Sequence, residues 1–301
     1  MPLDPAVSEF LKGIEKSSRP PVWNLPIEES RAAVPTVAGE PEVIGSISAT
    51  IAEGELRDVP VRVYEPAGGH RGTAVFFHGG GWVTGDLDTH DALCRRVCRE
   101  AAARVIAVDY RRAPEHRFPA AVHDALAATT WAAATFPHDP VAVWGDSAGG
   151  NLAAAVALLA RDAGAPRLAA QVLIYPITDS DFERESYHRY ADGYLLSRQA
   201  MQWFWEQYVP DQARRRDPRV APMHAKSHAG LAPALILTAG HDVLRDEGRA
   251  YAARLRDAGV EVESLEYPGQ IHAFVRRLDL FDDATDACHR IGEFLKNQFN
   301  K

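Results

Sequence analysis

From Thr73 onward the sequence alternates short apolar runs with longer helical patterns, and this alternation constrains the fold more than any other feature. Continuous apolar runs are typical of parallel strands buried on both faces, with the intervening helices serving as crossovers. We therefore predict an α/β fold with a mostly parallel sheet and helices on both of its faces. The predicted strands cover 74–77, 105–108, 141–144, 171–174, 234–238 and 262–267, and the predicted helices 93–103, 121–134, 151–161, 246–258 and 284–299.

The segments outside this alternation suggest how the chain is divided. Asp4 and Pro5 are typical of a helix start, and the β-rich runs 43–51 and 59–64 indicate an antiparallel edge pair. No strand pattern occurs between Tyr175 and Pro233, where helical patterns predict an inserted cap. The predicted division is 1–42 for the N-terminal part of the cap, 43–176 for the first part of the core, 177–230 for the inserted cap and 231–301 for the second part of the core.

The net charge, the cysteines and the apolar runs of the sequence argue against several classes of function. The formal net charge of −8 argues against nucleic-acid binding, and we interpret the short run Arg214 to Arg216 as a solvated loop. Cys94 and Cys98 are expected to be buried free thiols, because two thiols alone do not make a zinc site. The sequence has no apolar run long enough for a membrane span and no signal-peptide pattern, so we expect a cytoplasmic protein with no membrane partner.

The segment Gly145-Asp146-Ser147-Ala148-Gly149 follows a predicted strand and leads directly into a predicted helix. It matches G-x-S-x-G in the strand–turn–helix context that places a nucleophilic serine on a tight turn. Glycines two residues before and after Ser147 avoid collisions in that turn. The start of the following helix also directs backbone N–H groups toward developing negative charge. Ser147 is therefore the predicted nucleophile.

A second glycine-rich motif, His78-Gly79-Gly80-Gly81-Trp82, directly follows the strand at 74–77. Consecutive glycines allow the backbone to approach a ligand and to direct several N–H groups to one point. These are the requirements of an oxyanion hole.

The base and its orienting acid are expected at the ends of later strands. Asp242 follows the strand at 234–238 and His272 follows the strand at 262–267, which gives the chain order Ser, Asp, His expected for this fold. Asp246 is a rival acid that we interpret as a helix-start residue. His241 is a rival base that we interpret as a loop residue.

These motifs, together with Asp109-Tyr110-Arg111, Ala113-Pro114-Glu115-His116 and Leu244 to Gly248, resemble the hormone-sensitive-lipase family of bacterial esterases. The resemblance implies an α/β-hydrolase fold, with Ser147, Asp242 and His272 as the triad and the N–H groups of Gly80, Gly81 and Ala148 as the oxyanion hole. It also implies short to medium acyl esters as substrates and allows a homodimer through the sheet edge. The chain departs from the family pattern at Arg112, Val243 and Ala273, which affects loop shape or stability rather than the reacting groups.

Aromatic residues are candidates for substrate contacts. Trp82, Trp203, Phe204 and Trp205 could line the acyl pocket, although helix packing within the cap explains the last three equally well. The segment Asp86-x-Asp88-x-His90-Asp91 resembles a set of metal ligands but lacks the calcium-loop Gly and Glu, so we predict no metal. For Asp146 we expect a structural hydrogen-bonding role.

The predicted reaction is ester hydrolysis through an acyl-enzyme, without a cofactor, acting on a small-molecule ester. A lactonase or an amidase or peptidase on the same triad remains an alternative, because the triad does not itself select the acyl donor. A non-catalytic small-molecule receptor is a further alternative, against which the presence of His272 argues.

Overall fold

The computed structural model describes residues 2–17, 20–37, 44–52 and 58–301. Within these residues one eight-stranded sheet has the order β1-β2-β4-β3-β5-β6-β7-β8. The strands are β1 Ile44–Ala52, β2 Val59–Pro66, β3 Thr73–Phe77, β4 Arg104–Val108, β5 Val141–Asp146, β6 Leu168–Ile174, β7 Ala234–His241 and β8 Val262–Ile271. β1 and β2 pair antiparallel, β2 pairs antiparallel with β4, and every pair from β4 to β8 is parallel.

Helices cover both faces of this sheet. They are α1 Pro5–Lys16, α2 Ile27–Ala32, α3 Asp91–Ala101, α4 Ala120–Thr135, α5 Ala148–Ala163, α6 Glu185–Arg189, α7 Arg198–Tyr208, α8 Arg245–Asp257 and α9 Asp282–Phe299. Side chains of α4, α5 and α8 form one core layer with one face of the sheet, and those of α3 and α9 form a second layer on the other. The predicted mostly parallel sheet between helical layers is confirmed, as is the antiparallel edge pair, except that Val43 lies outside the described residues.

The ends of β7 and β8 differ from the prediction. Both strands continue past Thr238 and Tyr267, and after an irregularity His241 pairs with Ile271. The close approach depends on Gly240, where a Cβ atom would lie 2.2 Å from the carbonyl oxygen of Pro268. The interpretation of His241 as a loop residue was therefore wrong, because it is the last residue of β7.

The N-terminal helix is attached to the strand that leads to His272. Asp4 caps α1 by accepting a hydrogen bond from the Ala6 N–H at 2.8 Å, as predicted. Its own backbone N–H donates to the carbonyl of Gly269 in β8 at 3.0 Å. The segment between β6 and β7 holds α6 and α7 and, as predicted, no strand. The thiols of Cys94, Cys98 and Cys288 are buried and form no disulfide.

Candidate active site

Ser147 occupies a strained turn between β5 and α5. Its φ of 57° and ψ of −117° lie outside the regions that L-residues ordinarily adopt. The flanking glycines are required by space, since a Cβ on Gly149 would lie 1.8 Å from the carbonyl oxygen of Phe77 and a Cβ on Gly145 would lie 2.4 Å from the backbone of Gly149. Strain of this kind persists only where the surrounding structure enforces it, and it is concentrated at functional sites.

The imidazole of His272 lies between the other two predicted reacting groups. Its Nε2 is 3.0 Å from Ser147 Oγ, and its Nδ1 is 2.7 Å from Asp242 Oδ2. The second carboxylate oxygen of Asp242 accepts the N–H of Leu244 at 2.9 Å, which fixes the orientation of the carboxylate. All three groups are buried, so these hydrogen bonds lie in surroundings of low dielectric constant. The structure thus brings Ser147, His272 and Asp242 together.

The rival acid and base make other contacts. Asp246 lies at the start of α8, as predicted, and its carboxylate accepts the N–H of Ser186 at 2.8 Å and pairs with Arg245 at 2.9 Å. The ring of His241 packs against Tyr190 and Tyr194, and burial lowers its pKa. Among the described residues, neither side chain hydrogen-bonds to Ser147, His272 or Asp242.

The glycine motif follows β3 and lies beside Ser147. Gly80 and Gly81 have φ values of 114° and 59°, which favour glycine. Within the described residues their N–H groups have no hydrogen-bond acceptor. Ala148 is the first residue of α5, so its N–H has no partner within the helix. The three predicted oxyanion donors are therefore available for a ligand. Residues 78–85, which carry two of them, are called the oxyanion loop below.

Asp146 holds the start of the oxyanion loop from inside the protein. Its Oδ1 accepts the N–H of Gly79 at 2.8 Å and lies 3.2 Å from Nε2 of His90. Burial alone would raise the pKa of Asp146, but His90, Arg276 and the Gly79 N–H outweigh it and lower the pKa to about 2. These contacts agree with the structural hydrogen-bonding role expected for Asp146.

His78 and Tyr110 form the second inner support of the loop. The hydroxyl of Tyr110 donates to the carbonyl of His78 at 2.7 Å, and the two rings stack with centroids 4.2 Å apart. Nδ1 of His78 lies 2.9 Å from the carbonyl oxygen of Gly79, whereas its Nε2 is buried and has no hydrogen-bond partner in the part of the chain that the structure describes. From the sequence, His78 was identified only as part of the glycine-rich motif, and His90 was considered only as a possible metal ligand.

The acidic segment after the loop is used in ion pairs rather than in a metal site. Asp88 and Asp91 both pair with Arg62, at 2.7 and 3.2 Å, while His90 turns inward to Asp146. Asp86 accepts the N–H of Thr89 at 2.8 Å. Across the residues that the structure describes, no group of His, Cys, Asp and Glu side chains could hold a metal ion.

A cavity of about 850 Å³ opens beside His272. Its walls are mainly apolar and come from the N-terminal residues, from the segment between β6 and β7 and from the residues after β8, including Phe10, Ile14, Val34, Leu195, Phe204 and Leu280. Phe204 also covers the oxyanion loop, since a Cβ on Gly81 would lie 2.2 Å from its ring. The cavity is therefore positioned to hold the part of a ligand that extends away from Ser147.

The other predicted substrate contacts lie elsewhere. Trp82 has no exposed surface and stacks on Tyr208, with ring centroids 4.5 Å apart. Trp203 packs edge-on against Phe204 and is not part of the cavity wall. Trp205 is buried against Trp82. In this structure only Phe204 of these aromatic residues faces the cavity, because the other three are used in packing α7 onto the core.

The three residues that depart from the family pattern differ in their conformation and contacts. Ala273, which stands where the family pattern usually has glycine, is in the left-handed region at φ 63°, which favours glycine. Val243 is fully buried, and its carbonyl accepts the hydroxyl of Ser186 at 2.6 Å. Arg112 donates to the carbonyl of Gly85 at 2.6 Å.

Comparisons with known proteins indicate the fold and the family of this chain. A family profile described as alpha/beta hydrolase fold matches residues 74–276. The chain is 48% identical to carboxylic ester hydrolase LipN of Mycobacterium tuberculosis over 240 residues, which are 75% of this chain and 64% of LipN. It is 41% identical to ethyl acetate hydrolase of Pseudomonas putida over 89% of this chain and 87% of that protein. A thermostable esterase from Pseudomonas putida ECU1011 superimposes with a TM-score of 0.94 at 36% identity, covering 99% of this chain and 98% of the esterase.

One further finding concerns membranes: among the helices of the described residues, none is long and apolar enough to cross a bilayer. The family profile, the related sequences and the superposition agree with the motifs and with the arrangement of the sheet. The chain belongs to the hormone-sensitive-lipase-like esterase family of α/β-hydrolases.

Proposed function

We propose that the protein is a carboxylesterase that hydrolyses short to medium acyl esters with Ser147 as nucleophile, His272 as base and Asp242 as orienting acid. The observation that carries the proposal is the position of the His272 ring, 3.0 Å from Ser147 Oγ and 2.7 Å from Asp242 Oδ2. A hydroxyl is a weak nucleophile unless an adjacent base removes its proton, and His272 is in position to do so.

In the first half of the reaction, Nδ1–H of His272 donates to Asp242, which leaves Nε2 as the acceptor of the Ser147 proton. The Ser147 oxygen attacks the ester carbonyl, and the resulting oxyanion is bound by the N–H groups of Gly80, Gly81 and Ala148. Such preorganised donors contribute about 3–4 kcal/mol each to transition-state stabilisation. The imidazolium returns its proton to the departing alcohol and an acyl-enzyme remains.

In the second half, water enters where the alcohol departed. His272 takes a proton from that water as it attacks the acyl carbonyl, and the same donors bind the second oxyanion. Collapse of this intermediate releases the carboxylic acid and returns the proton to Ser147. Every proton moves through one imidazole, so the reaction needs neither a metal nor a cofactor.

The substrate proposal is supported by the cavity and by the names of relatives. An apolar wall beside His272 suits the hydrocarbon part of an ester, and Phe204 lies between the oxyanion loop and that wall. One relative is named for the hydrolysis of ethyl acetate. We propose that 1–42 and 177–230 together form the cap over this cavity. We also propose that the protein forms a homodimer, which size-exclusion chromatography with light scattering can test.

Hydrolysis of p-nitrophenyl butyrate by the wild type and by Ser147→Ala tests the mechanism. We expect the substitution to lower kcat by about 10⁶-fold, as loss of a serine nucleophile does in other hydrolases. Ser264→Ala, at an exposed serine of β8, is the matched control and should retain wild-type activity. Equal rates for wild type and Ser147→Ala would refute the proposal.

Two further measurements separate this function from its alternatives. A fluorophosphonate probe should label the wild type and not Ser147→Ala, whereas a non-catalytic receptor would remain unlabelled. Matched esters, lactones and anilides should be turned over with esters fastest; a preference for lactones or anilides would replace the ester assignment while keeping the triad.

A further inference from the structure

The oxyanion loop is held at its far end by an arginine that belongs to the N-terminal cap segment. Arg31, in α2, donates from Nε to the carbonyl of Val83 at 2.9 Å. Its Nη2 donates to the carbonyl of Ala113 at 3.0 Å. Its Nη1 and Nη2 also donate to the two carboxylate oxygens of Glu115, at 2.9 and 2.6 Å. One planar guanidinium therefore joins α2, the oxyanion loop and the segment 113–115.

Further bonds join the same parts of the chain. The N–H of Ala113 donates to the carbonyl of Trp82 at 2.8 Å, so the segment that Arg31 binds is itself bonded to the loop. The guanidinium of Arg112 donates to the carbonyl of Gly85 at 2.6 Å. The carbonyls of residues 82, 83 and 85 thus accept hydrogen bonds from residues 113, 31 and 112, respectively.

Gly80 and Gly81, which carry two of the three predicted oxyanion donors, lie between the residue bound by Arg31 and the residues bound by Asp146 and Tyr110. Asp146 and Tyr110 fix Gly79 and His78 at the start of the loop, while Arg31 fixes Val83 beyond it. Gly80 and Gly81 lack side chains that could limit their dihedral angles. The carbonyl of Gly80, in the same peptide group as the Gly81 N–H, accepts the N–H groups of Val83 at 3.1 Å and Thr84 at 2.9 Å, so the donors are linked to the residue that Arg31 binds.

Stability alone does not explain these bonds. The Arg31 and Glu115 side chains are 22% and 52% exposed, and ion pairs at such exposure contribute little to folding. Arg31 nevertheless lowers the pKa of Glu115 through a direct hydrogen bond, so the carboxylate is charged at neutral pH and keeps the guanidinium in one orientation. These contacts favour a role for Arg31 in fixing the geometry of the oxyanion loop rather than in stabilising the fold.

We propose that Arg31 is a positioning residue for the oxyanion hole, with Glu115 as the residue that orients it. The inference rests on the proposed esterase function. Because Ala33 and Val34, next to Arg31 in the chain, belong to the cavity wall, the same guanidinium connects the cap over the ligand cavity to the donors that bind the oxyanion. A displacement of the donors by about 1 Å can cost about a hundredfold in rate.

The test uses the full-length protein and the variants Arg31→Gln and Arg31→Lys. Kinetics with p-nitrophenyl butyrate are combined with inhibition by an alkyl trifluoromethyl ketone, whose adduct with Ser147 carries an oxyanion. For Arg31→Gln we expect kcat to fall about ten- to hundredfold, the inhibition constant to rise by a similar factor, and KM to stay within about twofold. Arg31→Lys should recover only part of the loss, because an ammonium cannot reproduce the planar fork.

Glu115→Gln tests the orienting role. If Glu115 acts through Arg31, the double variant with Arg31→Gln should be no slower than Arg31→Gln alone. The matched control is Arg249→Gln, which removes a partly exposed Arg–Glu pair with Glu266 on α8 and β8 and should leave kcat unchanged.

Two results would overturn the inference. One is an unchanged kcat and inhibition constant in Arg31→Gln; the other is a loss confined to KM, which indicates that Arg31 only fastens the cap. Failure of the esterase proposal itself is distinguishable, since it appears as hydrolysis that does not depend on Ser147.

Discussion

The buried imidazole of His78 predicts how this protein responds to acid. Its Nδ1 lies 2.9 Å from the carbonyl of Gly79, which requires the Nδ1–H form, and its Nε2 has no acceptor among the described residues. Protonation would place a second N–H and a positive charge in a buried site. Burial, which disfavours the charged ring, therefore lowers the pKa of His78 to about 3.

The sign and size of the effect follow from linkage. In the unfolded chain His78 has an ordinary pKa of about 6.5, so on acidification that state takes up a proton that the folded state does not. The free energy of unfolding is therefore highest above about pH 6.5 and falls as the pH approaches 3. Between about pH 7 and pH 5 the contribution of this one group amounts to about 2 kcal/mol.

The assay is urea unfolding of the wild type and of His78→Asn at about pH 7 and pH 5, followed by fluorescence and circular dichroism with coincident transitions as the check on two-state behaviour. Asparagine keeps a donor near the Nδ1 position but does not titrate. The baseline cost of the substitution cancels, because the readout is the loss of unfolding free energy between the two pH values.

We expect His78→Asn to lose about 2 kcal/mol less than the wild type over this interval. The exposed His138→Asn is the matched control for removing one imidazole and should behave as the wild type does. If His78→Asn and the wild type lose the same amount, the neutral buried imidazole is not the cause of acid sensitivity.

Three further predictions concern the site. Asp242→Asn should lower kcat by about 10⁴-fold because the tautomer of the base is no longer fixed, whereas Asp246→Asn should change it by less than about tenfold; kinetics with p-nitrophenyl butyrate compare the two. Ala273→Gly should raise the free energy of unfolding by about 0.5–1 kcal/mol, because relief of the left-handed φ exceeds the added entropy of the unfolded chain; a lower urea midpoint would contradict this. Gly81→Ala should lower kcat about a hundredfold because the new Cβ meets the ring of Phe204, and adding Phe204→Ala should restore part of that rate; a double variant as slow as the single one would place the clash elsewhere.

The sheet and the positions of the candidate site residues could be predicted because local sequence determines them. Short apolar runs that alternate with longer helical patterns are typical of buried parallel strands. The residues that follow β5, β7 and β8 are Ser147, Asp242 and His272. Once the strands are parallel neighbours, their carboxyl ends lie at one edge and the three side chains can meet. The turn at Ser147 was equally predictable, since only glycine fits two residues to either side.

The orientation of the α7 side chains and the supports of the oxyanion loop could not be predicted in the same way. Phe204 and Trp205 are adjacent aromatic residues of α7, yet one faces the cavity and the other is buried, and only the packing angle of the helix decides which. The pairing of Arg31 with Glu115 joins residues 84 positions apart and has no local signal. His90 stood in an acidic segment that suggested cation binding, but its single carboxylate partner, Asp146, comes from β5.

The pairing of β3 with β5 links the two motifs of the site. Phe77, the last residue before the glycine-rich loop, lies opposite Gly145, and its carbonyl oxygen leaves no room for a side chain at Gly149. If β3 and β5 paired one residue out of their present register, the Ser147 hydroxyl would be displaced by about 3.3 Å relative to the N–H groups of Gly80 and Gly81. The backbone hydrogen bonds between β3 and β5 thus set the distance between the Ser147 hydroxyl and the predicted oxyanion donors. A core substitution that tilts β3 could therefore abolish activity without changing any residue of the candidate site.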